Sequence, residues 1–430
     1  MDPLRWLKNK IIAPTGVDYG YFLRHGSATL LQNAGALAFA IAASILLIAK
    51  LPVAVYGNYA YIMALIGICG ACTLSGMNTA VAQAAACGRE KALDIAVRIQ
   101  TRWCAALSLP FGAYALYLYD TGVDGSFIGA LVIAGGAFLI TTTLSPASAF
   151  LFGKKEFKRL AFYGIAFNGM TLILLAIVTS RTDSLIAVMC AYGFSSVSSA
   201  LYLYIRARAL YARKIINTPE KDDGSLFRFS GHLSIINAFS ILAEHADKII
   251  LFHFLGPVQL AIYSIASHIM DAGKAAIRSV ISVSLPKLSM TAMTDIRRGM
   301  MGRVIWGMGA GIIVCVAYWI IIPPMIKGIF PEYRPAIAYA QLLGISFIFI
   351  IPITHIAYVF HSQKMMVMLY VNGILPNMMR ILCYMGAAAY WGIEGIVISR
   401  IVLYAFTLCV NSISIFAEKN GQRPISRNGS

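Results

Sequence analysis

The chain has 430 residues, 59% of them hydrophobic and 12% charged, and a net charge of +17. A mean hydropathy of +0.73 and apolar runs well beyond 18 residues exclude a water-soluble globular protein and define a polytopic membrane protein. The basicity invites a nucleic-acid partner, but the placement of the basic residues assigns it to membrane topology instead.

Residues 1–26 carry Arg5, Lys8, Lys10 and Arg24 around Leu4, Trp6, Leu7, Ile11 and Ile12, which suits a basic amphipathic segment on the cytoplasmic face. The first apolar stretch begins near Ser27 and leads into a second, so it reads as a retained helix rather than a signal peptide. Apolar windows of about 20 residues predict twelve spans, near 27–50, 57–85, 100–119, 125–152, 159–180, 184–206, 229–254, 258–286, 302–323, 337–358, 366–389 and 393–416. The expected fold is therefore an all-α polytopic membrane protein of twelve transmembrane helices. The first six make an N-lobe over 27–206, a cytoplasmic linker covers 207–228, the last six make a C-lobe over 229–416, and 417–430 form a cytoplasmic tail.

With both termini cytoplasmic, the inner segments and adjoining helix ends hold 26 of the 35 Lys and Arg residues. The outer loops hold four (Lys50, Arg181, Lys327, Arg334) and the spans five (Lys248, Lys274, Arg278, Arg380, Arg400). That asymmetry over short loops is a positive-inside signal, and it supports an even number of crossings without invoking a polyanion. All eight Cys residues lie in or at the ends of apolar spans. Cys69 and Cys72 form a CxxC among Gly67, Gly70 and Gly76, where close helix packing is a better reading than redox or metal chemistry. No cofactor, metal site or catalytic residue is predicted.

Leu51, Gly57 and Tyr59 align with Leu255, Ala261 and Tyr263, and Thr141-Thr-Thr-Leu-Ser-Pro146 falls near Pro352-Ile-Thr-His355. This internal similarity predicts two parallel-repeat six-helix lobes around a central cavity, as in several transporter folds. Prolines at Pro110, Pro146, Pro286, Pro352 and Pro376 interrupt spans and predict kinks, either static or suited to rocking.

The seventh and eighth spans carry Glu244, His245, Asp247, Lys248, Asp271, Lys274 and Arg278. At about 3 kcal/mol for each buried charge, this load requires pairing or a hydrated interior. Glu244 and Lys248 have the i, i+4 spacing of an intrahelical ion pair, with Asp247 on the same broad face. Asp271, Lys274 and Arg278 form a stripe at i, i+3, i+7 that should face the bundle interior. Three acids against five bases leave positive charge over, which suits an anionic head group held by Lys274, Arg278, Arg380, Lys248 and Arg400. Asp247 and Lys248 equally suit a snorkelling pair near the outer helix end, and the depth of Arg400 stays open. Glu244, His245, Asp247 and Asp271 are the candidates for ion coupling or charge pairing; protonation of Glu244 or His245 competes with simple hydrogen bonding.

Asp247-Lys-Ile-Ile-Leu-Phe-His-Phe-Leu-Gly256, then Leu260-Ala-Ile-Tyr263, resembles the seventh and eighth helices of bacterial polysaccharide and O-antigen flippases of the multidrug/oligosaccharidyl-lipid/polysaccharide exporter superfamily. Tyr56-Gly-Asn-Tyr59, Gly76-Met-Asn-Thr-Ala80 and Gly153-Lys-Lys-Glu-Phe157 agree. The resemblance implies alternating-access movement of a polyprenyl-pyrophosphate-linked sugar from the cytoplasmic to the outer leaflet of the bacterial inner membrane. It also implies a proton or sodium as coupling ion, and glycosyltransferases and a polysaccharide polymerase as partners. Lys50 stands where an Arg is common in the family, and the N-lobe spans lack a mid-membrane cation, so anion-binding charge falls to the C-lobe. A multidrug or cation exporter of the same superfamily would favour an acidic, aromatic cavity. A membrane polysaccharide polymerase or ligase would need a substantial outer loop, whereas the longest here is short, around Pro323 to Pro335. No GxxxxGK[ST] phosphate loop supports an ATP-driven pump.

Overall fold

A computed structural model describes residues 35–36, 38–217, 223–282, 288, 293–363 and 365–417. Regular structure among them is entirely helical, as lipid demands of a backbone that must satisfy its own hydrogen bonds. Among the described residues, seven helices are long and apolar enough to cross a membrane, or eight when the bent pair Ala336–Gly344 and Phe347–Ser362 counts as one span. Two of these, Asn237–Ile281 and Tyr370–Ile415, run 45 and 46 residues. At about 1.5 Å per residue each is roughly twice a 30 Å hydrocarbon layer. Both break where a glycine leaves helical geometry, Gly256 at φ 81° and Gly392 at φ 59°, so each has the length of two crossings joined at a glycine. Pro286, the segment 218–222 of the expected linker, and the terminal segments 1–26 and 418–430 lie outside the described residues.

The expected single span over 57–85 is two helices, Val53–Ala71 and Met77–Ala86. Between them Ser75 N–H donates to the Thr73 carbonyl, and Gly76 N–H donates to Ser234 Oγ at 2.9 Å. Those bonds replace the helical ladder, which the Thr-Leu-Ser-Gly run holds weakly. Of the expected kinks, Pro146 opens a new helix, Pro146–Gly153, while Pro110, Pro352 and Pro376 lie inside continuous helices. None of the eight cysteines forms a disulfide.

Contacts divide the chain into two compact units. One comprises Met1–Leu51 and Cys72–Ser234, the other Pro52–Ala71 and Ile235–Ser430. Val53–Ala71, placed by the sequence in the N-lobe, thus belongs with the second half. The cause is local: Gly57 lies against the Pro257 carbonyl and Gly67 against the His245 ring, with no room for a Cβ at either. Tyr61 stacks on Phe252 at 3.9 Å and meets His253 Nε2 at 3.3 Å.

In the first unit, Met77, Val81, Leu93, Phe150 and Leu151 form a core fully closed to solvent. Lys154 and Glu90 pair beside it at 2.6 Å with side chains only 13% and 10% exposed. The ammonium also lies 5.7 Å from the rings of Phe150 and Tyr211, so aromatic faces help compensate a poorly hydrated charge. In the second unit, Ile296, Met300, Ile356, Val359, Phe360 and Ile415 form the corresponding core. Gly311 packs on the Phe347–Ile348 backbone, and Trp319 and Gln341 exchange hydrogen bonds through their side chains and carbonyls.

Candidate functional site

The break at Gly256 folds the Asp223–Ser282 helix into two arms, with Asp247 on the first and Tyr263, Asp271, Lys274 and Arg278 on the second. The break at Gly392 does the same for Met366–Ala417, separating Arg380 from Arg400. All of these residues lie in the second unit.

Arg400 joins the two hairpins. Its Nη2 donates to Asp271 Oδ1 at 2.7 Å, its Nη1 donates to the Tyr263 hydroxyl at 3.3 Å, and Asp247 Oδ2 lies 3.8 Å away. Tyr263, closed to solvent, donates to Asp247 Oδ2 at 2.6 Å, while Asp247 Oδ1 accepts the Lys248 backbone N–H at 2.8 Å. One guanidinium thus serves two carboxylates, and the Tyr263 phenol bridges it to Asp247. This is the satisfied network a low-dielectric interior requires. Arg400, grouped from the sequence with the anion-facing cations, is bonded inside the chain.

A second grouping gathers around Tyr404, which is buried. Lys274 Nζ donates to its hydroxyl at 3.2 Å. Arg380 and Arg400 both interact electrostatically with the same phenol. Arg380 is partly buried, its Nε has no hydrogen-bond partner, and no carboxylate among the described residues pairs with it. Asn377, one turn before Arg380, donates to Ser240 Oγ at 3.1 Å. Lys274 and Arg380, like Lys248, are thus interior cations that make no ion pair with an acid among the described residues, and of these Lys274 and Arg380 share Tyr404. Their chemistry is that of an anion site: an ammonium, a guanidinium with unused donors, and polar hydroxyl and amide groups.

The other candidates fall elsewhere. The predicted Glu244–Lys248 ion pair does not form; Glu244 is exposed and Lys248 makes no ion pair among the described residues. Such an i, i+4 pair is worth only about 0.3–0.5 kcal/mol, too little to hold two long side chains together. His245 packs on Gly67 with a buried, unpartnered Nδ1, so its ring acts in helix packing. Arg278 is exposed, and only its carbonyl receives a bond, from the Tyr358 hydroxyl. The tyrosines were not singled out from the sequence. A signal was present: Arg380 and Tyr384, like Arg400 and Tyr404, stand four apart, one on the same helix face as the other. No group of three His, Cys, Asp or Glu among the described residues could hold a metal.

A family model described as polysaccharide biosynthesis protein matches residues 51–298. No curated protein matches the chain. Among solved structures, a multidrug resistance MATE family transporter of the MOP superfamily, in an inward-facing conformation, is 12% identical with a TM-score of 0.68, over 90% of this chain and 98% of that one. A MOP superfamily transporter from Pyrococcus furiosus, described by a reversed polarity of its binding pocket that suggests a different function, is 13% identical with a TM-score of 0.59, over 92% and 95%. A eukaryotic MATE transporter is 15% identical with a TM-score of 0.58, over 93% and 97%. At such identities the likeness is one of fold.

Proposed function

Since this chain belongs to the polysaccharide biosynthesis protein family and has the fold of MOP superfamily transporters, we propose that it is a flippase for a polyprenyl-pyrophosphate-linked oligosaccharide. It moves that lipid from the cytoplasmic to the outer leaflet of a bacterial inner membrane by alternating access, feeding O-antigen, exopolysaccharide or capsule assembly. The observation that carries this reading is the pair Lys274 and Arg380 beside Tyr404, interior cations that make no ion pair with an acid among the described residues. A pyrophosphate supplies the missing anion, and a guanidinium fork fits its oxygens. Glycosyltransferases and a polymerase would act before and after it, and a proton or sodium gradient would drive it. Moving one charge through the membrane field supplies about 2.3 kcal/mol per 100 mV.

One observation favours the rival, a cation or multidrug exporter: the Asp271 side chain is 43% exposed despite its bond to Arg400. Against it, the two network acids Asp247 and Asp271 are outnumbered by the three cations Arg400, Lys274 and Arg380 that act on them, leaving no net acidity for a cationic drug.

The deciding experiment is leaflet distribution of the lipid-linked sugar in cells lacking the protein. Accumulation on the cytoplasmic leaflet, reversed by the wild-type chain but not by K274Q/R380Q, supports the flippase. Unchanged leaflet distribution and unchanged surface polysaccharide, together with lost drug tolerance, would establish the exporter.

A further inference from the structure

The first unit contains a cavity of about 310 Å³ between the Gly125–Leu144 end, Phe157–Thr179 and Leu185–Asn217, remote in sequence from the cations above. Its lining holds no Asp, Glu, Lys or Arg, yet it is crowded with hydroxyls. In a helix bundle of such low polarity, a concentration of hydroxyl and amide groups marks a hydrated space.

The direction of the hydrogen bonds identifies what the space can recognise. Ser148 Oγ donates to the Ser145 carbonyl at 2.9 Å, Thr171 Oγ1 to Phe167 at 2.9 Å, and Ser196 Oγ to Tyr192 at 2.9 Å. Asn168 Nδ2 donates to the Gly164 carbonyl at 2.7 Å, which leaves its Oδ1 as an acceptor without a donor. Ser148 and Ser196 give their protons to their own helix backbone and offer lone pairs to the cavity, Thr171 Oγ1 is also bonded to Ser195 Oγ, and Asn168 keeps a second N–H beside its free oxygen. Ser199, which bonds to no group among the described residues, adds a hydroxyl able to turn either way. The walls between are apolar and aromatic, with Phe167 and Tyr192 among them.

A lining that offers both acceptors and donors, free of formal charge and flanked by rings, fits a neutral ligand whose many hydroxyls both donate and accept around an apolar body. A pyranose ring is such a ligand. A bare cation would bring a charge that no lining carboxylate balances, and the volume, at the low end of small-molecule sites, exceeds any ion cage. We propose that this cavity is a binding site for one uncharged sugar unit, separate from the cations that take the anionic head group. The proposal rests on the reading of the cargo as a glycolipid and adds that its sugar is recognised by the first unit.

The test uses the full chain in nanodiscs, free of sugar-based detergent, with methyl glycosides of glucose, galactose and N-acetylglucosamine as probes and saturation-transfer NMR as readout. At least one glycoside is expected to bind. S199L, which fills the cavity, and N168L, which removes the acceptor, should each weaken it about tenfold, the equivalent of one lost hydrogen bond. S196A, a smaller change that keeps the fold, should weaken it less. R380Q should leave glycoside binding intact while reducing protection of the protein by inorganic pyrophosphate. Absence of glycoside binding, or binding indifferent to S199L, S196A and N168L alike, overturns the cavity assignment. So does a cavity that answers to sodium chloride but not to glycosides. Loss of pyrophosphate protection with sugar binding retained would instead count against the anion site alone.

Discussion

Arg400 is the residue on which the second unit's charge balance turns. It is bonded to Asp271 and to Tyr263, with Asp247 just beyond. Removing it takes the counter-charge from Asp247, whose side chain is 6% exposed, and from the more open Asp271, and orphaning a buried carboxylate costs about 3–5 kcal/mol. R400Q is therefore expected to lower the melting temperature and yield of the purified protein well beyond the effect of R278Q, whose side chain is exposed. Y263F removes only the bridging hydroxyl and should cost about 2 kcal/mol, since Asp247 keeps the Lys248 N–H. K274Q and R380Q stand in contrast. Neither makes an ion pair with an acid among the described residues, so both should leave thermal unfolding nearly unchanged while lowering transport about tenfold each. Unfolding curves and leaflet assays on the same variants separate the two classes, and transport at wild-type rate in K274Q/R380Q would remove the anion site.

Two glycines shape the elements that carry these residues. Gly256 has φ 81° and ψ −178°, a conformation almost confined to glycine. Nothing lies within 4 Å of an added Cβ there, so G256A is expected to cost about 1–3 kcal/mol through backbone strain alone. Gly57 is the opposite case, since its backbone is helical and its problem is space. A Cβ would strike the Pro257 carbonyl, so G57V should force Val53–Ala71 away from the Pro257 arm. Increased protease sensitivity and greater exposure of Tyr61, measured by quenching or cross-linking, would report that separation; a fully stable G57V would refute it.

For the whole molecule, charge asymmetry is the main guide to orientation. The proposed topology puts the turn at Lys155 on the cytoplasmic side and that at Asp183 outside. In a chain stripped of its eight cysteines, an impermeant thiol reagent added to intact cells should label a cysteine at 183 and spare one at 155. The reverse pattern would invert the topology. The helical class, the membrane location and the family resemblance were legible in sequence because they depend on summed apolar length, loop charge and short motifs. The concentration of ionisable residues between Glu244 and Arg278 was legible as well, since no packing is needed to see a charge in an apolar run.

What the sequence could not decide was pairing. Spacing along one helix favoured Glu244 with Lys248, yet the acids that matter reach Arg400, 129 residues beyond Asp271, across a contact made only when both broken helices fold back. The same holds for Val53–Ala71, assigned by chain order to one half and by Gly57, Tyr61 and Gly67 to the other. The sequence alone determined that this chain lies in a membrane and carries more interior cations than acids. Tertiary structure decided that Arg400 is the cation paired with acids while Lys248, Lys274 and Arg380 make no ion pair among the described residues, because electrostatic compensation acts over a few ångströms in space and is blind to distance along the chain.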